Sequence, residues 1–207
     1  MRTNWTDIVG TANGTVGSSV TQSVVWWPVG RYTTFTSGSG LNFVIQADGA
    51  AGTFSNANTW TVAMWARHTG ATTDDYIFEH AVNAARSWAA NFGVDNTSKY
   101  RVNYASALIS TNNYVSESLF RYIIITCTWS TFTMNINNLA LENKSWWAPW
   151  TLGTKTKFTI WALVDWWAWS WFGFNGDLCE MRIYDNAISS AEQKNLFSYY
   201  KWYLLWC

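Results

Sequence analysis

Three sets of side chains in this 207-residue chain have the chemistry of a functional site: paired acids, two histidines with acids between them, and an excess of tryptophan. Asp177 and Glu180 come nearest to the carboxylate pair of glycoside hydrolysis, in which both groups must face one cleft. Three residues apart on a regular strand they fall on opposite faces, so the pair does not read as catalytic. Glu180 is expected to pair with Arg182 on the outer face, or with a neighbouring strand. His68 and His80 bracket Asp74 and Asp75 across a turn, where a His–Asp–His metal site competes with solvated loop histidines. No cysteine has a base at a recognisable spacing and no Gly-rich loop follows a strand, so neither nucleophilic catalysis nor nucleotide binding is supported. The chain is expected not to be an enzyme.

Tryptophan is the compositional outlier, with seventeen in all and eight between residues 146 and 171. Trp166, Trp167, Trp169 and Trp171 include adjacent and alternating positions, so they cannot all enter one core. Aromatic rings in loops stack on the C–H faces of sugars, with nearby Asp and Asn taking the hydroxyls. Asp165, Trp166, Trp167 and Trp169 are the expected centre of such a platform, and Trp146, Trp147 and Trp150 are further candidate contacts to glycan or partner. The same cluster also reads as a subunit interface, because Trp and Tyr are enriched at hot spots. Burial against a partner favours association by about 2–3 kcal/mol per large side chain. A third reading is a codon decoded as Trp here that the source organism decodes as Gly, which an intact mass separates from the other two.

Charge narrows the classes further. Thirteen Lys and Arg balance thirteen Asp and Glu, and charged residues make up only 13% of the chain. That pattern lacks the basic footprint of a nucleic-acid binder and the clustered cations of a membrane-surface protein. The most apolar stretch, 158–174, carries Asp165 and is shorter than the ~20 residues a membrane span needs. No apolar h-region follows Met1, so no secretory signal is expected. Three cysteines, Cys127, Cys179 and Cys207, are no disulfide framework. Cys127 and Cys179 sit in strand-like runs as buried small apolar residues, with a Cys127–Cys179 bridge as the alternative.

The elements that must position these groups are short β runs separated by turn signals, the pattern of a sandwich or barrel. Runs are expected at 19–27, 31–36, 41–46, 59–67, 75–80, 87–94, 100–104, 120–129, 131–136, 157–164 and 178–184. Trp60, Val62, Met64 and Ala66 share one side of their strand, and Thr61, Ala63, Trp65 and Arg67 the other. Ile123, Ile125, Cys127 and Trp129 alternate with Tyr122 and Ile124, apolar on both faces, which predicts a strand central in its sheet. Cys179, Met181 and Ile183 are expected on one face, opposite Glu180, Arg182 and Tyr184. Ser189-Ser190-Ala191-Glu192 is a capping box opening a short helix whose stripe is Leu196, Phe197 and Tyr200.

The run Phe174-Asn175-Gly176-Asp177-Leu178-Cys179-Glu180-Met181-Arg182-Ile183-Tyr184, with the exit 185–189 and Glu192 three residues on, resembles the last strand and exit turn of the laminin G-like group of concanavalin A-like sandwiches. Residues 60–67 resemble that group's early strand, and 122–138 its paired strand and hairpin, in the right order. The resemblance spans residues 41–200. It implies an all-β, two-sheet antiparallel jelly-roll sandwich with one short C-terminal helix. One domain, 1–207, is expected, with residues 1–40 adding strands or an arm. Enzymes on this fold, such as the β-glucanases, place their carboxylates at alternate strand positions, a spacing that Asp177 and Glu180 lack. Relatives often hold calcium at one rim, which makes Asp95, Asp165 and Asp177 candidate ligands by loop location.

The expected function is a non-catalytic lectin-like module, displayed as a structural or adhesion subunit of a phage or virus particle or another extracellular assembly, and binding glycans. Its partners would be further copies of itself or neighbouring subunits, with no nucleic acid and no membrane insertion. A virion or cell-surface location is expected, since virion proteins are assembled inside the host cell without a secretion signal. The alternative is a free soluble carbohydrate-binding lectin with no assembly role.

Overall fold

The computed structural model describes residues 4–5, 14–15, 20–27, 30–35, 44–45, 59–69, 75–81, 90–94, 97, 99–104, 106–109, 119–128, 131–137, 142–145, 157–160, 174–184 and 186–205. In chain order the strands are β1 (Asn4–Trp5), β2 (Gly14–Thr15), β3 (Val20–Trp27), β4 (Gly30–Phe35), β5 (Val44–Ile45), β6 (Trp60–His68), β7 (Asp75–Ala81) and β8 (Ala90–Val94). They continue as β9 (Tyr100–Tyr104), β10 (Ser106–Ile109), β11 (Arg121–Thr128), β12 (Thr131–Ile136), β13 (Glu142–Ser145), β14 (Lys157–Ile160) and β15 (Gly176–Tyr184), followed by the helix α1 (Ser190–Leu205).

The strands form a seven-stranded sheet, β13-β12-β11-β6-β15-β4-β3, and a six-stranded sheet, β10-β9-β8-β7-β14-β5, besides the pair β1-β2. Every described pairing is antiparallel. The N-terminal region contributes strands: the β3–β4 hairpin extends the larger sheet beside β15. Four strands are not anticipated by the periodicity: the two-residue pair β1 and β2, and β10 and β13, which are both sheet edges. An edge strand needs no continuous apolar face, and Glu-Asn-Lys-Ser in β13 shows none.

The alternation expected in β6 is realised. Trp60, Val62, Met64 and Ala66 join Ile123 and Ile125 of β11 and meet Ile77, Phe78, Phe92, Val94, Tyr100 and Val102 of the smaller sheet in one core. The sheets therefore face each other as a sandwich. On the far side of the larger sheet, Ala63, Trp65, Tyr122, Ile124 and Cys179 form a second cluster, closed by Ile188, Leu196 and Phe197 from α1 and its approach. A strand with helix on one face and sheet on the other is apolar on both, as read for β11, which lies between β12 and β6.

The expected face assignment in β15 is corrected by a bulge. Between the pairs Cys179↔Trp65 and Arg182↔Ala63, β15 advances one residue more than β6. Glu180 takes φ 51 there, the left-handed region that a bulge can require. Leu178 and, beyond the bulge, Met181 and Ile183 pack on the inner core. Cys179 lies in the outer cluster with Tyr184, not with Met181. One inserted residue inverts the parity of everything after it.

The capping box forms as expected. Glu192 N donates to Ser189 Oγ at 3.2 Å, and Ser189 N and Oγ each donate to Glu192 Oε2 at 2.7 Å. Polar clamps then hold the helix to the sheet. Ile188 N donates to Thr61 Oγ1 at 3.1 Å, Thr61 Oγ1 donates to Asn186 O at 2.9 Å, and Gln193 Nε2 donates to Thr126 Oγ1 at 3.2 Å. At the start of β15, a Cβ on Gly176 would lie 2.1 Å from Arg67 O and 2.6 Å from the Phe174 ring, so only glycine lets β15 and β6 approach. Among the described residues no helix is long and apolar enough to cross a membrane.

Candidate functional site

The outer face of the larger sheet holds the described residues with chemical potential, and β4, β6 and β15 bring them together. Arg67 of β6 lies directly opposite Asp177 of β15. Arg67 Nε donates to Asp177 Oδ2 at 2.7 Å, Arg67 Nη2 donates to the same oxygen, and Thr34 Oγ1 donates to Asp177 Oδ1 at 2.7 Å. The guanidinium also covers the Phe120 ring at 4.8 Å. Both carboxylate oxygens of Asp177 are engaged inside a strand, not in a rim loop as the sequence suggested. A calcium ion at Asp177 would have to displace a buried, charge-assisted network. Asp95 and Asp165, the other calcium candidates, lie outside the described residues. Among the described residues no group of three His, Cys, Asp or Glu is placed to hold a metal.

The bulge removes the opposite-face argument for Asp177 and Glu180. Glu180 Oε1 accepts from Arg182 Nη2 at 2.8 Å, as the sequence suggested, and Arg182 sits opposite Ala63, a residue of the outer cluster. The two carboxylates are kept apart by their partners: Asp177 is held by Arg67, Glu180 by Arg182. His68 ends β6 buried against Phe174, ring centroids 5.9 Å apart, whereas His80 belongs to β7 in the other sheet. Asp74 lies outside the described residues.

Beneath α1 the aromatic rings of Trp65 and Tyr122 lie 5.1 Å apart, and those of Tyr122 and Phe197 6.2 Å. Burial raises the Tyr122 phenol well above its ordinary range. The Tyr184 and Glu180 charges raise it further and the Arg182 charge opposes them. Burial pushes the Cys127 thiol up to about 12, and burial with the Glu180 charge does the same for Cys179. Such thiols stay protonated and unreactive near neutral pH. Cys127 lies in the inner core and Cys179 in the outer cluster, on opposite faces of one sheet, and neither is in a disulfide. Their register positions, opposite Trp60 and Trp65, are about 16 Å apart along β6 at the usual strand rise. The Cys127–Cys179 bridge is thereby excluded.

On the smaller sheet, Arg101 crosses Gly93, its register partner, to reach Tyr76, with Nη2 donating to the phenol at 3.1 Å and the guanidinium 5.7 Å from the ring centre. The missing side chain at Gly93 opens that path. Sequence reasoning did not single out Arg67, Arg101 or Tyr76, because each gains its partner from a distant strand. Trp146, Trp147, Trp150, Trp166, Trp167 and Trp169 lie outside the described residues, whereas Trp60 and Trp65 are fully buried core.

No protein-family model matches the chain, and no curated protein matches it in sequence. Solved structures do match its fold. It is similar to Trypanosoma rangeli sialidase, with TM-score 0.71 and 14% identity over 94% of this chain, and it spans 30% of the sialidase chain. A receptor binding domain matches at TM-score 0.68 and 10% identity, over 95% of this chain and 50% of that one. Domain 4 of an extracellular arabinanase from Geobacillus stearothermophilus, in complex with arabinotriose, matches at TM-score 0.59 and 12% identity, over 89% of this chain and 91% of that one. At these identities the likeness is one of fold, a two-sheet β-sandwich.

Proposed function

We propose that the chain is a non-catalytic, lectin-like module of the concanavalin A-like jelly-roll kind, displayed as a structural or adhesion subunit of a virion or other surface assembly and binding glycans. The observation that carries the reading is the match, close to full length on both sides, to an arabinanase domain determined with arabinotriose. The receptor binding domain of the same architecture supports a surface role. The engagement of both Asp177 oxygens by Arg67 and Thr34 fits a binding module better than a hydrolase. The Trp-rich segments around 146–150 and 165–171 supply the self-association surface in this reading.

Sedimentation equilibrium and a glycan array test it together. A defined multimer that binds glycans, with both properties weakened by replacing Trp166 and Trp167, is the expected result. A stable monomer that binds glycans favours the free lectin instead. A monomer with no glycan binding overturns the proposal.

A further inference from the structure

We propose that β3 pairs antiparallel with β3 of a second copy of this chain, across a two-fold axis at Gln22, and so joins two seven-stranded sheets into one. The inference rests on the assembly reading above and gives it a locus distinct from the Trp-rich segments.

The four sheet edges are not alike. Among the described strands, β13 and β3 end the larger sheet and β10 and β5 the smaller, each paired on one side only. An edge presents a row of main-chain N–H and C=O groups that can template a further strand, and proteins guard it with charge, proline, brevity or a bulge. β5 is two residues long and β10 four. β13 carries Glu142 and Lys144. β3 has eight residues, Val-Thr-Gln-Ser-Val-Val-Trp-Trp, with neither charge nor proline and with the residue types that favour strands. Its one guard is a bulge against β4, between Val24 and Trp27. The run 20–24 stays in unbroken register with 35–31 of β4 and leaves a regular edge.

That edge is complementary to itself. Two identical antiparallel strands overlap over the whole run 20–24 only when Gln22 faces Gln22 of the copy. Val20 of one copy then faces Val24 of the other, and Thr21 faces Ser23, each pair occurring twice. Apolar pairs and Thr–Ser pairs are favourable cross-strand neighbours. The pairing adds about four to six main-chain hydrogen bonds. By register Gln22 aligns with Thr33 and Leu178 on the core-facing side of the sheet, and Thr21 with Thr34 and Asp177 on the outer side. The valine pairs thus continue the core-facing side and the hydroxyl pairs the outer side. A formal net charge of zero sets no overall repulsion between two copies. The competing explanation is that another segment of the same chain covers this edge, which leaves the chain monomeric there.

Sedimentation equilibrium of the full chain and two double variants tests the pairing. Thr21→Lys with Ser23→Lys sets like charges opposite each other at both Thr–Ser positions and should raise the dimer dissociation constant about tenfold or more. Thr21→Lys with Ser23→Glu sets opposite charges at the same positions and should keep that constant within about threefold of the parent's. Both doubles replace the same two residues, so a shared effect on the folded monomer cancels. Hydrogen exchange on the parent needs no variant: main-chain amides in 20–24 should gain protection as concentration rises through the dissociation constant. Equal association of the two doubles, or exchange in 20–24 that does not change with concentration, would overturn the β3 pairing. A chain that behaves so but is still multimeric, and dissociates on replacing Trp166 and Trp167, keeps the assembly reading without this contact. A parent that is monomeric at every concentration defeats both.

Discussion

Removing Asp177 should expose how much the larger sheet depends on one cross-strand ion pair. The Asp177 side chain is 3% exposed and that of Arg67 24%, and three donors converge on the carboxylate from β4 and β6. Asp177→Ala leaves the guanidinium without its counter-charge in a largely dry setting, for which about 3–5 kcal/mol is the usual loss. Arg67 keeps a quarter of its surface in water and the face of Phe120 beneath it, which places the expected loss near the lower end, about 3 kcal/mol. For a chain of this size that lowers the thermal midpoint by roughly 6–12 °C. Urea unfolding followed by tryptophan fluorescence should show a lower midpoint at an unchanged slope. The double replacement Arg67→Met with Asp177→Leu removes both charges and should recover to within about 1 kcal/mol of the parent. If Asp177→Ala costs under about 1 kcal/mol, or the two replacements simply add, the pair is not the buried clamp described here.

Three further outcomes follow from the same structure. Because the folded thiol pKa values of Cys127 and Cys179 lie near 12 against an ordinary 9.0, the folded state keeps protons that the unfolded chain loses. The cysteine contribution to urea stability should therefore be constant below about pH 9 and be lost as pH rises from 9 towards 12, and a thiol reagent should label neither residue before unfolding. Ser189→Ala removes the cap of α1 and should cost about 1 kcal/mol, read as lost helical circular dichroism and a lower midpoint. Gly176→Ala forces a methyl against the Arg67 carbonyl and should cost about 3 kcal/mol or prevent soluble expression; a parent-like melting curve would show that β15 and β6 can separate there.

Local rules carried a good part of this fold. The two-residue period of β6 and β11 marked which residues enter the inner core, because each strand lies against packed side chains along its whole length. Ser189 and Glu192 announced the helix because a capping box is closed within four residues. Asp165 and the tryptophans between 146 and 171 were conspicuous by type, but type alone assigns no partner, and they lie outside the described residues.

Long-range pairing decided the rest. That β15 inserts between β6 and β4 is a choice among distant strands, and from it follow the Arg67–Asp177 clamp and the separation of Cys127 from Cys179. The bulge at Glu180 has no local signature, since glutamate does not favour a positive φ; it arises because β15 must stay paired with β6 while its parity changes. That single residue set Met181 and Ile183 on the inner face although Cys179 before it faces outward, and left Glu180 exposed beside Arg182. Periodicity specifies which residues can share a face, but only the paired neighbour determines where the period slips.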